Sequence, residues 1–157
     1  MKKLVVVRHA KADWGNDVKD FDRPLNKRGM KDAPRVARYL SEKGFSPDLM
    51  VTSPACRALS TSEAMAEVFD YPIERLEKNP ALYLGAPSDL AEAMDFTPAD
   101  VNTLYLVAHN PGVSHFASSL TGNHMVLSTC CAVICEGEGA WTDFRVVNWE
   151  MVRARDV

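Results

Sequence analysis

Short aliphatic runs alternate with amphipathic segments along this chain, and the alternation predicts its secondary structure. Five apolar runs have the length and composition of buried strands, and a sixth run is weaker. The five lie at residues 4–7, 49–52, 103–108, 129–135 and 144–149, and the weaker one lies near residues 73–76. A period of 3.6 residues in the segments between them predicts four helices. These helices span about residues 27–43, 54–69, 88–94 and 111–120.

The first predicted helix carries an interruption as well as a stop signal. One helical face is formed by Met30, Ala33, Ala37 and Leu40, and Gly44 follows as the stop. Pro34 lies inside this pattern and has no backbone N–H group to donate. We therefore expect a kink or a late start in this helix.

Alternating strands and helices of this kind predict an α/β fold. A largely parallel central sheet would be covered by helices on both faces, which gives a three-layer α/β/α sandwich. The last two strands are joined by the glycine-rich segment "EGEGAW", which favours an antiparallel C-terminal hairpin on that sheet. The chain shows no internal repeat and no linker, so residues 1–157 are expected to form a single domain.

Charge and hydropathy exclude several classes of protein. The net charge of −3 argues against a general nucleic-acid binder, which would carry a basic surface. The longest aliphatic run is only residues 4–7, too short for a transmembrane helix or a secretory signal. We therefore expect a cytoplasmic protein with no membrane partner.

The four cysteines are expected to be free thiols. Cys130, Cys131 and Cys135 lie in one predicted strand, "TCCAVICE", where neighbours point to opposite faces. Their side chains cannot converge as a disulfide requires. Cys56 would have to pair across the fold, which a reducing compartment disfavours. Buried thiols that act as small apolar side chains are the simplest interpretation.

Polar residues follow three of the predicted strands. The first strand ends in Arg8 and His9. The second runs into "TSPACRA", where Ser53 is a predicted helix cap, Pro54 the first helical residue and Arg57 part of the first turn. The third of these strands ends in "VAHNPG", with His109 before Asn110 as cap and Pro111 as first helical residue.

These strand ends predict a common pocket. In parallel α/β sheets ligands bind outside the carboxyl ends of the strands, and two of these ends also present a helix N-terminus, which favours anions. Each segment alone is more often an ordinary turn. Their order and placement together indicate a pocket for a dianion the size of phosphate.

Four motifs resemble one family. The segments "VVVRHAKADW", "DFDRPLNKRG", "TSPACRALSTSE" and "VAHNPGV" are similar to the histidine phosphatase superfamily, and within it to the small SixA-type phosphohistidine phosphatases. The likeness covers about residues 3–121. It implies a phosphoglycerate mutase-like fold, with His9 as the nucleophile and with Arg8, Arg57 and His109 holding the phosphoryl oxygens. Asn110 is placed with them as a substrate-binding residue. Ala10 stands where much of the superfamily has glycine.

The chemistry of these residue types agrees with those roles. A neutral imidazole attacks phosphorus and forms a covalent phosphohistidine, which divides one displacement into two easier ones. Arginine matches the geometry and charge of phosphate. We therefore expect no cofactor and no metal. His109 and His115 lack the spacing of a helical zinc pair, and His115 and His124 are expected at the surface.

No carboxylate occupies the segment where larger relatives carry a general acid. The stretch "NPALYLGAPS" contains Tyr83 as its only ionisable side chain, and we expect Tyr83 to serve in packing. Asp13, Asp20 and Asp22 lie closer to the pocket in sequence. One of these three aspartates would replace the missing acid. Acidic residues in loops are, however, more often solvated than catalytic.

The resemblance leaves the substrate open. Six basic residues form a predicted basic surface: Arg23, Lys27, Arg28, Lys31, Arg35 and Arg38. This surface would dock an acidic protein substrate, although a solvated helix face explains the same charges equally well. The leading interpretation is a phosphatase acting on protein phosphohistidine. The alternatives are a phosphatase for small phosphate esters with the same mechanism, and a non-catalytic phosphate-binding module. A nucleotide-binding fold is disfavoured because no glycine-rich phosphate loop follows the first strand.

Overall fold

A computed structural model describes residues 1–15 and 17–157 and confirms the alternating α/β order. Its strands are β1 (Lys2–Arg8), β2 (Leu49–Thr52), β3 (Glu77–Lys78), β4 (Thr103–Ala108), β5 (Ala132–Glu138) and β6 (Arg145–Val152). Its helices are α1 (Lys27–Glu42), α2 (Cys56–Phe69), α3 (Pro87–Asp95) and α4 (Gly112–Thr121).

The six strands form one sheet in the order β3-β2-β4-β1-β5-β6. Strands β3, β2, β4 and β1 are parallel to one another, whereas β5 pairs antiparallel with both β1 and β6. The predicted parallel sheet with an antiparallel C-terminal hairpin is therefore confirmed. The carboxyl ends of β1, β2 and β4 meet at one edge, as the predicted pocket requires.

Alternate residues of the central strands face two separate cores. Val5 and Val7 of β1 pack into the core formed with α1 and α2. Leu4 and Val6 pack into the core formed with α3 and α4. All four side chains are fully buried, and burial of each stabilises the fold by about 1.5–3 kcal/mol. The two cores define the three α/β/α layers.

Helix α1 begins where the sequence indicated, so the expected late start is wrong. Asn26 caps the helix, because its side-chain oxygen accepts a hydrogen bond from the Gly29 N–H group at 2.9 Å. Pro34 lies inside the helix. Of the four residues expected to share one helical face, Met30 is 59% exposed, whereas Ala33, Ala37 and Leu40 are fully buried. The buried face instead comprises Gly29, Ala33, Val36, Ala37 and Leu40, which follow the helical period.

The largest differences from the predicted strands occur near residues 73–76 and at the start of β5. Residues Ile73–Arg75 form a 3-10 turn whose local backbone bonds use the N–H groups that a strand would offer its neighbour, and β3 begins only at Glu77. Strand β5 begins at Ala132 rather than at residue 129. Cys130 has a φ of 58°, a left-handed conformation that no strand accommodates.

The helices α2 and α4 begin later than predicted. Helix α2 begins at Cys56 with Ala55 as its cap, and α4 begins at Gly112 with Pro111 as its cap. Ser53 and Asn110 are therefore not the caps that the sequence suggested. Both side chains make other contacts, which shape the site described below.

The four cysteines are free, as expected. Cys130 and Cys131 belong to different cores, so their side chains lie on opposite faces of the sheet. Burial raises the pKa of the Cys130 thiol to about 12 and that of Cys131 to about 11. Both sulfurs are therefore protonated, apolar packing groups at neutral pH.

Candidate active site

The end of β1 is held on both sides by backbone hydrogen bonds. The His9 N–H group donates to the Ala108 carbonyl oxygen at 3.1 Å, and the Arg8 N–H group donates to that of Cys131 at 3.1 Å. The Cys130 N–H group donates to the carbonyl oxygens of both Arg8 and His9, at 3.1 and 3.0 Å. The left-handed turn at Cys130 thus closes over the strand end and fixes the two side chains.

The tautomer of His9 is defined by its backbone contact. Its Nδ1 atom lies 2.7 Å from the carbonyl oxygen of Ala10, which only accepts, so Nδ1 carries the hydrogen. Burial, reinforced by the nearby positive charges of Arg57, Arg8 and Arg23, lowers the pKa of His9 to about 4. At neutral pH the ring is uncharged and Nε2 retains its lone pair. These are the properties of a nucleophile.

A second histidine ring lies beside the first. The ring centroids of His9 and His109 are 5.1 Å apart with an angle of 54° between the planes. The Nε2 atom of His109 lies 2.8 Å from the hydroxyl oxygen of Ser53. Burial, with His9 and Arg57 adding to it, lowers the pKa of His109 to about 3. His109 is therefore also neutral, and a contact between its ring and a ligand would be a hydrogen bond rather than an ion pair.

The two arginines flank these rings, and both are anchored at their outer ends. Arg57 is 3% exposed; its Nη1 atom donates to the Asp20 carbonyl oxygen at 2.7 Å and its Nη2 atom to the Asp20 carboxylate at 3.1 Å. Arg8 donates through Nη1 to the carbonyl oxygen of Leu127 at 3.2 Å. The guanidinium groups are thereby held in fixed orientations.

Three buried nitrogen atoms of these side chains lack a partner among the described residues. The Nε atoms of Arg8 and Arg57 and the Nδ1 atom of His109 have no hydrogen-bond partner among residues 1–15 and 17–157. Buried polar atoms in folded proteins are nearly always paired. Three such nitrogens near the neutral ring of His9 suit the oxygens of a phosphoryl group. The sequence placed all four of these residues at this edge, and the structure brings them together.

Asn110 is occupied by the protein itself. Its Nδ2 atom donates to the Leu127 carbonyl oxygen at 2.8 Å, and its Oδ1 atom accepts a hydrogen bond from the Ser114 hydroxyl. The amide keeps a second N–H group on Nδ2, so the predicted contact of Asn110 with substrate stays a prediction. Its observed role is to tie the start of α4 to the backbone beside Arg8.

The segment after His9 packs closely against α1 at a glycine. A Cβ atom on Gly29 would lie 2.1 Å from the carbonyl oxygen of Lys11, so only glycine permits this approach. The Asn26 N–H group also donates to the Lys11 carbonyl oxygen, at 3.0 Å. Ala10 is fully buried, and its N–H group donates to the Thr61 hydroxyl at 2.9 Å. Alanine thus fits where much of the superfamily has glycine, because its methyl group packs into the core.

The three aspartates considered as a replacement acid lie in different environments. Asp13 and Asp22 are exposed. Asp20 lies at the pocket, where its carboxylate accepts hydrogen bonds from Tyr83 at 2.7 Å and from Arg57 and Arg23 at 3.1 Å each. The Tyr83 bond, with Arg57 and Arg23 adding to it, lowers the pKa of Asp20 to about 2. Asp20 is ionised at neutral pH and holds no proton to donate.

Tyr83 does more than pack. Its ring meets His109 edge-on with a centroid separation of 5.6 Å, and its hydroxyl donates to Asp20. Sequence reasoning missed the Asp20–Tyr83 bond because it joins residues 63 positions apart. It also missed the Ser53–His109 contact, although a serine directly after β2 was a usable signal.

The residues of the predicted basic surface do not form one face. Arg23 does not lie on α1; it stacks on the ring of Trp14, 4.8 Å from its centroid. On α1, Arg28 and Arg35 pair with the buried Asp32 at 3.5 and 3.2 Å. The other members of the predicted basic surface, Lys27, Lys31 and Arg38, are exposed, as are His115 and His124.

Two further features of the described residues concern metal-binding groups and membrane-spanning helices. In the part of the chain that the structure describes, no group of three or more His, Cys, Asp or Glu side chains is arranged to hold a metal ion. The described helices include none that is both long enough and apolar enough to cross a membrane.

Comparison with known proteins identifies the class that this fold and pocket define. Residues 4–109 match the family model of the histidine phosphatase superfamily, branch 1. An uncharacterized chloroplastic protein of Arabidopsis thaliana is 32% identical over 152 residues, which cover 90% of this chain and 70% of that protein. The chain therefore belongs to the histidine phosphatase superfamily.

Solved structures agree on the fold. The structure of the protein histidine phosphatase SixA complexed with tungstate has a TM-score of 0.84 at 19% identity, and 98% of each chain is covered. Mycobacterial glucosyl-3-phosphoglycerate phosphatase has a TM-score of 0.67 at 16% identity, again over 98% of each chain. The phosphoglycerate mutase-like, SixA-like fold expected from the sequence is confirmed.

Proposed function

We propose that this protein is a metal-independent phosphatase that forms a phosphohistidine intermediate on His9 and removes phosphate from protein phosphohistidine. One observation supports the mechanism: a neutral, buried His9 lies near three buried nitrogens, Arg8 Nε, Arg57 Nε and His109 Nδ1, that have no partner among the described residues. Membership of the superfamily supports the same chemistry.

The reaction has two displacements. In the first, the Nε2 lone pair of His9 attacks phosphorus, the N–P bond forms, and the bond to the leaving group breaks with its electron pair leaving on that group. The ring of His9 then carries both the Nδ1 hydrogen and the phosphoryl group. In the second, water attacks phosphorus and the N–P bond breaks. Inorganic phosphate leaves with both protons of the water, and His9 returns to its neutral form.

The surrounding donors lower the barrier to both steps. Charge spreads over the three phosphoryl oxygens in the transition state, and fixed donors in a water-poor site stabilise that charge without reorganising. Arg8 and Arg57 supply positive charge, and His109 supplies a neutral donor. The Ala10 contact keeps the Nε2 lone pair of His9 available throughout.

The state of Asp20 supports phosphohistidine as the substrate. A protonated phosphohistidine ring leaves as neutral imidazole, whose conjugate acid has a pKa of about 6.5, and needs little help from an acid. A serine alkoxide is nearer to water, with a pKa of about 15.7, and depends on a general acid worth about 10²–10⁴-fold. Asp20 is ionised and cannot supply that proton. Likeness to the protein histidine phosphatase SixA agrees with this choice.

A small phosphate ester is the second candidate substrate. It is favoured by the likeness in fold to glucosyl-3-phosphoglycerate phosphatase, and it would require an acid from elsewhere. A non-catalytic phosphate-binding module is the third possibility, and the neutral His9 argues against it.

A substrate panel tests these alternatives. We expect hydrolysis of a phosphohistidine protein and of p-nitrophenyl phosphate, and little hydrolysis of phosphoserine or sugar phosphates. Equal kcat/KM across esters of very different leaving-group pKa would favour the small-ester function. No turnover of any substrate would favour the binding module. His9→Ala should be inactive on the whole panel, and the exposed His115 provides the matched control as His115→Ala.

A further inference from the structure

Asp20 lies at the exposed side of the pocket, which we call its mouth. The ring of His9 is 7% exposed and forms the floor, whereas the side chain of Asp20 is 47% exposed. Its carboxylate is 3.1 Å from Arg57 Nη2, and Arg57 itself reaches inward with its Nε atom. An in-line attack from His9 expels the leaving group outward, past this carboxylate.

Three donors contact the carboxylate of Asp20 but do not fill all of its acceptor positions. Tyr83 and Arg57 donate to Oδ2, and Arg23 donates to Oδ1. The two oxygens of a carboxylate offer about four acceptor positions. One position therefore remains for a donor on the substrate, and the partial exposure of Asp20 leaves it accessible.

Aromatic rings flank the same position. Phe21 and Tyr83 meet edge-on with a centroid separation of 5.1 Å, and Tyr83 meets His109 edge-on at 5.6 Å. Aromatic edges and faces favour a flat ring packed against them. A carboxylate beside aromatic walls suits a planar leaving group that carries an N–H donor.

We propose that Asp20 is the residue that determines leaving-group specificity, by accepting a hydrogen bond from the ring N–H of a phosphorylated imidazole. This inference rests on the proposed function and names the contact that selects its substrate. The bound carboxylate stabilises the protonated imidazole ring before the P–N bond breaks. The electron pair of that bond passes to the ring nitrogen, and the ring leaves as neutral imidazole with its N–H hydrogen unchanged. Asp20 neither gains nor loses a proton.

The same charge works against other leaving groups. A phenolate or an alkoxide carries developing negative charge at the point of departure, and an adjacent carboxylate repels it. Removing the charge of Asp20 should therefore change kcat/KM differently for the two classes of substrate. A residue that only positions Arg57 would change both classes alike.

The test compares Asp20→Asn with the wild type on phosphoimidazole and on p-nitrophenyl phosphate. We expect the ratio of kcat/KM for phosphoimidazole over p-nitrophenyl phosphate to fall at least tenfold, since a hydrogen bond to a charged group is worth about 1.5–3 kcal/mol. Asp20→Glu retains a carboxylate and should recover part of the ratio. Asp22→Asn makes the same change of charge in the same turn and should keep the wild-type ratio.

The possible outcomes separate this inference from the proposed function. A parallel fall on both substrates would overturn the inference and leave Asp20 as a positioning residue for Arg57. An unchanged ratio would overturn it as well. Failure of the wild type to hydrolyse either phosphoimidazole or a phosphohistidine protein, with p-nitrophenyl phosphate still hydrolysed, would instead overturn the proposed substrate. Thermal unfolding of each variant confirms that the compared proteins are folded.

Discussion

The hydroxyl oxygen of Ser53 lies 2.8 Å from Nε2 of His109, so the direction of this hydrogen bond and the tautomer of the buried ring depend on each other. Ser53 Oγ also accepts a hydrogen bond from the Ala55 N–H group at 3.2 Å, and we expect it to donate its own proton to His109. Nε2 then accepts, and Nδ1 carries the ring hydrogen. A neutral His109 thereby presents a donor to a phosphoryl oxygen.

Ser53→Ala should lower kcat/KM tenfold or more, because the loss of this donor allows His109 to adopt the opposite tautomer. A lone pair on Nδ1 would then face a phosphoryl oxygen, and unpaired buried groups cost about 1–3 kcal/mol. Nitrogen NMR of the His109 ring should report the change of tautomer directly. The exposed serine of α4 supplies a control as Ser119→Ala. An unchanged tautomer in Ser53→Ala would remove Ser53 from the mechanism.

Arg57→Ala should reduce kcat by about 10²–10³-fold, which is about 2.7–4 kcal/mol in the barrier, by analogy with the loss of one oxyanion donor. Arg57→Lys should recover only part of this, because an ammonium group cannot contact both Asp20 and the phosphoryl group. Steady-state kinetics on p-nitrophenyl phosphate measure the effect, with the exposed Arg38→Ala on α1 as control. A loss below tenfold would show that Arg57 does not contact the transferring group.

The residue types at the strand ends were sufficient to predict where the pocket lies. They did not predict the contacts that Asp20 makes at its exposed side. The apolar runs of β1, β2 and β4 predicted where these strands end. Because parallel strands end at a common edge, Arg8, His9 and His109 were expected to lie close together. The partners of Asp20 come from separate parts of the chain, and no local pattern links them. The strand expected near residues 73–76 failed for a related reason, since local turn bonds outweighed the preference of an aliphatic segment for the sheet.

Acidification should protonate His9 only near pH 4, well below the value of about 6.5 for a free histidine. Above that pH the ring is neutral and nucleophilic; below it the lone pair is lost. A proton NMR titration of the His9 ring in the folded enzyme gives the midpoint. A midpoint near 6.5 would contradict the burial that the site depends on.

The same shift predicts how stability depends on pH. Between about pH 6.5 and 4 the unfolded chain binds protons at His9 and His109 that the folded chain does not, so the free energy of unfolding should fall as the pH is lowered through this range. Urea unfolding at successive pH values measures the slope. His9→Gln removes one of the two groups and should make the slope shallower, whereas a slope equal to that of the wild type would oppose this account.

Chelation of metals should leave hydrolysis unchanged. In the proposed mechanism Arg8 and Arg57 supply the positive charge that a metal ion would otherwise supply, and His109 adds a hydrogen bond. Activity on p-nitrophenyl phosphate before and after prolonged EDTA treatment is the measurement. Loss of activity that added Mg²⁺ or Zn²⁺ restores would contradict the proposed set of phosphoryl ligands.

Trapping of the phosphorylated enzyme tests the central claim most directly. Brief reaction with a phosphohistidine protein or with phosphoramidate, followed by an alkaline quench and mass spectrometry of peptides, locates the phosphoryl group. We predict acid-labile phosphate on His9, absent from His9→Ala and retained in His115→Ala. Phosphate on any other residue, or turnover that persists in His9→Ala, would contradict His9 as the nucleophile.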